Sequence, residues 1–163
     1  MLCLRKSKKG FTLIELMVVV AIIGILALLG LRMYTGQMDK AKNAIVKANA
    51  ATVHTIIQGN LADTTFSDAT AAVKSIKLAN GNYPAAGSVT NAELPAGMKN
   101  PHDTATTGVV VKALDSNTVD DIKDADGVKG AVVVKGTNTA NKFYIAGFDQ
   151  DGNVLEEQYT AIK

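Results

Sequence analysis

Two patterns follow one another at the start of the chain. From Phe11 to Leu31 it reads FTLIELMVVVAIIGILALLGL, in which Glu15 is the one ionisable side chain. Apolar residues fall on every side of a helical wheel there, as in a helix with no face turned to water. About 20 such residues suffice to cross a bilayer. Beyond Leu31 the pattern becomes one-sided. Met38, Ala41, Ile45, Ala48, Thr52 and Ile56 recur at helical spacing, while Asp39, Lys40, Lys42, Asn43, Lys47 and Asn49 fill other faces. The two stretches predict one helix from about Phe11 to Gln58, ~70 Å long at 1.5 Å per residue. Gly59-Asn60 is its expected stop, and the stripe from Met38 to Ile56 is expected to lie on a small domain.

The remaining chain alternates short apolar segments with turn residues. Ser67 is placed to cap a short helix over 68–79, which Asn80-Gly81 ends. Tyr83-Pro84 and the Gly-, Ala- and Asn-rich stretch after it read as loop, with Thr90 to Glu93 capping one helical turn before Pro95. Asn100-Pro101-His102 reads as a turn. Four strands are predicted over Gly108–Leu114, Ala131–Lys135, Lys142–Phe148 and Val154–Ile162, with turns at 136–141 and 149–153. Val132, Val133 and Val134 are consecutive, so that strand is expected to be covered on both faces. Helix first and strands afterwards predict an α+β domain: a long N-terminal helix whose apolar half protrudes and whose amphipathic half packs on a small antiparallel sheet. The expected divisions are a leader 1–10, the long helix 11–60 with its apolar half 11–31, a connecting region 61–106 and the sheet 107–163.

Charge changes the picture only at the N-terminus. Arg5, Lys6, Lys8 and Lys9 supply four of the 17 basic side chains, against 15 acidic ones, so the formal charge of +2 becomes −2 without them. The basic balance thus belongs to the first ten residues and gives no reason to expect nucleic-acid binding by the rest. Basic residues before an apolar span hold that end in the cytoplasm and place the rest of the chain outside. Cys3, the single cysteine, also lies in the leader, so a chain beginning at Phe11 forms no disulfide. An ordinary secretory signal has a shorter apolar region and a small-residue cleavage site after it; neither is evident here. A plain signal anchor accounts for the hydropathy alone.

Glu15 argues for more. An acidic residue inside a membrane helix is costly, about 2.5–3.5 kcal/mol at the centre, and calls for a partner. No Lys or Arg shares its helix face within a turn or two. A new α-amino terminus, made by a cut between Gly10 and Phe11, would supply one, and glycine before the cut leaves room for a protease to approach the backbone. The segment KKGFTLIELMVVVAIIGILA resembles the type IV pilin signature. That resemblance implies a pilin fold, cleavage after Gly10 by a membrane prepilin peptidase, and methylation of the new terminus at Phe11 by the same enzyme. It also implies that Glu15 pairs with the terminal ammonium of a neighbouring subunit during assembly. Arg32 stands where most members have a proline. Gly24 and Gly30 remain as points of helix flexibility, each weakening a helix by about 1 kcal/mol relative to Ala. Arg32 itself reads as an interfacial anchor.

The resemblance implies a homopolymeric extracellular filament whose subunits wait in the inner membrane among lipids. An assembly platform extracts them, driven indirectly by an ATPase. Adhesion, twitching motility and DNA uptake are activities of such filaments. A pseudopilin of a type II secretion system is the alternative within the family; Asn80-Gly-Asn-Tyr-Pro84 is similar to a stretch of major pseudopilins, while the absence of Trp weighs against it. A single-pass anchored binding or enzymatic domain is the alternative of another class. No nucleophile–base set, P-loop or dinucleotide fingerprint is present, and neither an enzyme nor a cofactor is expected. Asp149 and Asp151, and separately Asp120, Asp121, Asp124 and Asp126, have the composition of a calcium site. A hairpin turn on Asp151-Gly152 and a solvated loop are the simpler readings. His54 and His102 lack a second ligand at metal spacing, and His54 reads as a packing residue.

Overall fold

A computed structural model describes residues 10–78, 81–83, 87–91, 93–103, 108–115, 122–123, 128–136 and 142–163, apart from the side chains of 156 and 157. The chain divides into two units, Met1–Met38 and Asp39–Lys163. The first consists, where described, of the start of helix α1 (Leu13–Asp63). The large apolar side chains of this part, among them Leu13, Ile14, Val18, Ile22, Leu26 and Leu29, are all exposed. This is the one described helix long and apolar enough to cross a membrane.

The second unit holds a five-stranded sheet with strand order β1-β2-β3-β4-β5. The strands are β1 (Ser88–Thr90), β2 (Val109–Asp115), β3 (Val132–Gly136), β4 (Lys142–Phe148) and β5 (Val154–Ile162). The α+β architecture expected from the sequence is thus present, but the sheet is mixed rather than purely antiparallel. β2 and β3 run parallel, with Val111 opposite Val132 and Asp115 opposite Gly136; the other three pairings are antiparallel. A parallel pair requires a crossover of about a dozen residues or more, and the link 116–131 supplies it. Its described residue Ile122 is buried at 3% exposure and packs with Val133, Ala146 and Phe148 on the face away from α1. The Gln158 side chain holds it there, accepting from the Ile122 N–H (3.2 Å) and donating to its carbonyl (3.1 Å). This second cover explains why Val132, Val133 and Val134 are all buried, as their run suggested.

Against the other sheet face lies α1, through Ala50, Val53, Ile57 and Leu61, together with a short helix α2 (Ala69–Lys74). The α1 residues buried by the head are Val46, Asn49, Ala50, Val53, Ile57 and Leu61. This corrects the sequence expectation, because Ala41, Ile45, Ala48 and Thr52 are exposed. Both sets have helical spacing, and the bulkier one fills the core, where each large aliphatic side chain contributes about 1.5–3 kcal/mol. The helix also runs past Gly59 and Asn60 to Asp63. Asn60 Nδ2 donates to the carbonyl and Oγ of Ser75 (3.1 and 3.0 Å), tying α1 to the end of α2, and buried Leu61 rewards the extra turn.

Helix α2 is shorter than expected, and Asp68 rather than Ser67 is its cap: Asp68 Oδ1 accepts from the Ala71 N–H at 2.7 Å, while Ser67 Oγ donates to Asp68 Oδ2. Asp115 at the end of β2 reaches the same helix start, accepting from the Thr70 N–H and hydroxyl. Strand β1 falls in the stretch expected to be loop; its pairing with β2, Val89 opposite Val111, is a tertiary gain with no local signature. Thr90 and Glu93 do bond, the Glu93 carboxylate accepting from the Thr90 N–H and hydroxyl (both 3.2 Å), but they form a turn and no helix. Asn80, the expected stop of the second helix, lies outside the described residues, as does most of the 136–141 turn.

Two polar side chains organise the loops near the start of β2. Asn49 Nδ2 donates to the Lys99 carbonyl at 2.9 Å. Asn100, at 2% exposure, donates to the carbonyls of Val109 (2.9 Å) and Lys129 (2.8 Å) and accepts from the N–H groups of His102 and Asp103. A buried amide with this many partners holds backbone groups that would otherwise be orphaned. The expected turn at Asn100-Pro101-His102 is built on it.

Candidate functional site

The first described residues form a local network. The Thr12 hydroxyl accepts from the Glu15 N–H at 3.3 Å, and the Glu15 carboxylate accepts from the Thr12 N–H (2.8 Å) and hydroxyl (2.9 Å). This is a reciprocal capping box: the side chains at the two ends of the first turn satisfy each other's backbone donors. The sequence offers no cationic partner for Glu15 on its own helix face. The partner is Thr12, and the Thr-x-x-Glu spacing ahead of an apolar run was a usable signal for it. The charge of Glu15 is solvated by two donors but not neutralised. Phe11 precedes Thr12 and is 87% exposed.

Glycine at position 10 has no internal steric cause: a Cβ there meets nothing within 4 Å, and the same holds at Gly24, Gly30 and Gly36. The helix is continuous through Gly24, Gly30 and Arg32. Among the described residues, none of these glycines is required by packing.

In the second unit α1 presents three distinct faces. One is buried in the core. A second carries Ala41, Ile45, Ala48 and Thr52 and is exposed, with Ile45 at 47%. The third faces the free edge of β5. There His54 Nε2 donates to the Thr160 carbonyl (3.2 Å), its ring stacked on Tyr159 with centroids 5.4 Å apart. Gln58 both donates to the Ile162 carbonyl (2.8 Å) and accepts from its N–H (3.0 Å). His54 is the packing residue expected, and with Gln58 it occupies backbone groups that an edge strand would otherwise offer to another chain.

Of the acidic candidates, the described pair Asp149 and Asp151 lies in one turn. Asp149 Oδ1 accepts from the N–H groups of Asp151 and Asn153 (both 2.8 Å), and Oδ2 from Asn153 Nδ2 (3.1 Å). Burial raises its pKa, yet these bonds together outweigh that and hold it below the ordinary carboxylate value. Gly152 takes φ +87°, and the segment is the hairpin turn between β4 and β5. Asp120, Asp121, Asp124 and Asp126 lie outside the described residues. Among those described, no group of three or more His, Cys, Asp or Glu is arranged to hold a metal. His102 Nε2 donates to Asn43 Oδ1 at 3.0 Å. Its pKa is lowered by burial and by the Lys42 charge, against the raising effect of Asp39, Asp149 and Asp151.

Residues 5–31, which hold the apolar segment and its capped carboxylate, match the family described as the prokaryotic N-terminal methylation motif. The curated proteins it is similar to include fimbrial proteins and a type IV pilin. The chain is 47% identical over 56 residues to the fimbrial protein EcpB of Eikenella corrodens, covering 34% of this chain and 35% of that one. It is 44% identical over 55 residues to the type IV major alpha-pilin of Moraxella bovis, covering 34% and 35%. It is 40% identical over 60 residues to the type IV major fimbrial protein FimA of Dichelobacter nodosus, covering 37% and 38%. The match thus spans little more than a third of the length of these relatives. Two of the three are named fimbrial proteins and the third a pilin. No solved structure gives a significant match.

Proposed function

We propose that this chain is the structural subunit of an extracellular type IV pilus. On this reading the precursor waits in the inner membrane with α1 in the lipid. The prepilin peptidase cuts it after Gly10 and methylates Phe11. The subunit is then extracted by an assembly platform, whose ATPase acts at a distance, and polymerises with copies of itself. The observation that carries the reading is the exposed apolar start of α1 joined to the methylation motif. An apolar surface of that extent is unstable in water and requires lipid or protein around it. A filament core of packed helices supplies the second environment. Thr12 acts here by holding Glu15 in the first turn of α1 until the Phe11 ammonium of a neighbour replaces or joins it. Adhesion, twitching motility and DNA uptake are roles such a filament serves.

The test is to shear cells expressing the chain, image the released material by cryo-electron microscopy and sequence its N-terminus by mass spectrometry. Thin filaments of this chain, beginning at methylated Phe11, are expected. An intact leader with no filaments sinks the proposal in favour of an anchored domain. A chain cut at Gly10 but retained in the membrane fraction replaces the pilus with a type II secretion pseudopilin.

A further inference from the structure

Helix α1 ends beside a cavity of about 280 Å³ lined by Asn60, Asp63, Thr64, Phe66, Ser75 and Tyr83. The polar side chains in this lining spend their protons elsewhere. Asn60 Nδ2 donates to the carbonyl and hydroxyl oxygens of Ser75. The Ser75 hydroxyl donates to the Ala72 carbonyl at 2.7 Å, and the Thr64 hydroxyl to the Asn60 carbonyl at 3.0 Å. What remains on Asn60 Oδ1, Thr64 Oγ1 and Ser75 Oγ is lone pairs. Asp63 adds a carboxylate, to which no described residue gives a hydrogen bond or ion pair. Lys163 Nζ donates to Thr65 Oγ1 at 2.8 Å. Among the described lining side chains, only the Tyr83 hydroxyl has a proton to offer.

The end of α1 adds to the negative field. Asp63 is its last residue, and no basic residue stands in its last turn. A helix carries partial negative charge at that end, where a cation stabilises and a carboxylate does not. Asp63 is thus poorly placed for helix stability and well placed to hold a cation. Two aromatic rings border the same space: Tyr83, 62% exposed, and half-buried Phe66, which meets Phe143 edge-on with centroids 6.0 Å apart. Rings beside a carboxylate add attraction for an organic cation. An anion would meet like charge and almost no donor. Calcium takes six to eight oxygen ligands, several of them carboxylate, and this lining offers one carboxylate. A primary ammonium has three N–H donors and no acceptor, which mirrors what the cavity presents. We infer that this cavity binds the ammonium group of a small primary amine. Its N–H groups donate to the Asp63 carboxylate, Asn60 Oδ1 and Thr64 Oγ1, and its carbon chain lies against Tyr83 and Phe66. The inference does not depend on the filament reading.

The test is a titration of the full chain in detergent micelles, with its Tyr and Phe rings isotopically labelled, using butylammonium chloride at constant ionic strength. The ring resonances of Tyr83 and Phe66 are expected to move saturably, with a Kd in the millimolar range. Neutral 1-butanol should bind about tenfold more weakly or worse, and so should tetramethylammonium, which is charged but has no N–H. Asp63→Asn should weaken butylammonium binding by about tenfold or more, while the urea midpoint stays level or rises, since the helix end loses a like charge. Tyr83→Phe should bind within about threefold of the parent, whereas Tyr83→Leu should lose about threefold or more. Absence of saturable shifts overturns the proposal. So does 1-butanol or tetramethylammonium binding as tightly as butylammonium, or an Asp63→Asn variant that binds as the parent does. Binding to the dispersed chain that is blocked in sheared filaments assigns the cavity to a contact between copies and overturns the amine site as well.

Discussion

Gly147 fixes how closely α1 approaches the sheet, and replacing it tests the packing directly. It lies on β4 at the register irregularity between Ala146 and Phe148. A Cβ added there meets Val46 Cγ1 at 2.6 Å, the Val46 carbonyl oxygen at 3.4 Å and Leu155 Cδ1 at 3.5 Å. Ordinary carbon contacts are about 3.5–4.0 Å, so Val46 must retreat by ~1 Å. It is fully buried and β-branched, which leaves it one strongly preferred rotamer in a helix. Gly147→Ala should therefore destabilise the head by about 1–3 kcal/mol through overpacking. Val46→Ala should cost about 2 kcal/mol through the cavity it leaves. Combined, the new methyl enters the vacated space, and the double variant should be more stable than the sum of the two by about 1–2 kcal/mol. Urea unfolding of a fragment beginning at Asp39, which contains all the described buried apolar residues, measures each leg of the cycle. Additivity within about 0.5 kcal/mol would refute the contact as the cause.

Asn100→Ala leaves the carbonyls of Val109 and Lys129 and the N–H groups of His102 and Asp103 without their partner; a loss of about 2–4 kcal/mol is expected by the same unfolding assay. Thr12→Val removes one half of the capping box and should cost the helix start about 1 kcal/mol, read as faster amide exchange over Leu13 to Leu16 with the head unaffected. Glu15→Val should leave membrane insertion intact and reduce filament yield by about tenfold or more, if the carboxylate joins a desolvated pair; wild-type yield would remove that role. Both His102 and Asp149 titrate below their ordinary values in the folded chain. The unfolded chain then binds more protons in each case, so stability rises with pH. The His102 contribution is present above about pH 6.5 and is lost as pH falls through its lower folded value. The Asp149 contribution is lost below about pH 3.9. His102→Gln should flatten the first loss, and Asp149→Asn the second, in urea midpoints followed against pH.

The strands were legible where residue type and turn chemistry agreed. Lys142–Phe148 and Val154–Ile162 are bounded as the sequence indicates because Asp149 to Asn153 makes a self-contained turn from its own hydrogen bonds. The parallel register of β2 and β3 was not legible, because it depends on Ile122 reaching the far face of the sheet, a contact that local pattern does not record. The end of α1 was missed for a similar reason: Gly59-Asn60 is a stop by local chemistry, but Asn60 bonds to Ser75 and Leu61 enters the core. At the site, the apolar run, Gly10 and Glu15 stand out in any reading. Thr12 was overlooked although its spacing from Glu15 carries the signal, since an intramembrane acid turns attention to distant cations before a neighbouring hydroxyl.

The one-position error in the buried stripe of α1 bears on function. Two apolar stripes exist in this part of the helix, and periodicity alone does not say which faces the head. Size decides it. Val53, Ile57 and Leu61 fill the space beside Phe143 and Ile145, which Ala41, Ala48 and Thr52 are too small to fill. The set left outside is mostly small, and small residues let helix backbones approach one another closely. The head therefore takes from α1 the side chains suited to a core and leaves exposed those suited to helix–helix contact. On the filament reading proposed above, that exposed stripe is the part of α1 beside the head that a neighbouring copy's helix would meet.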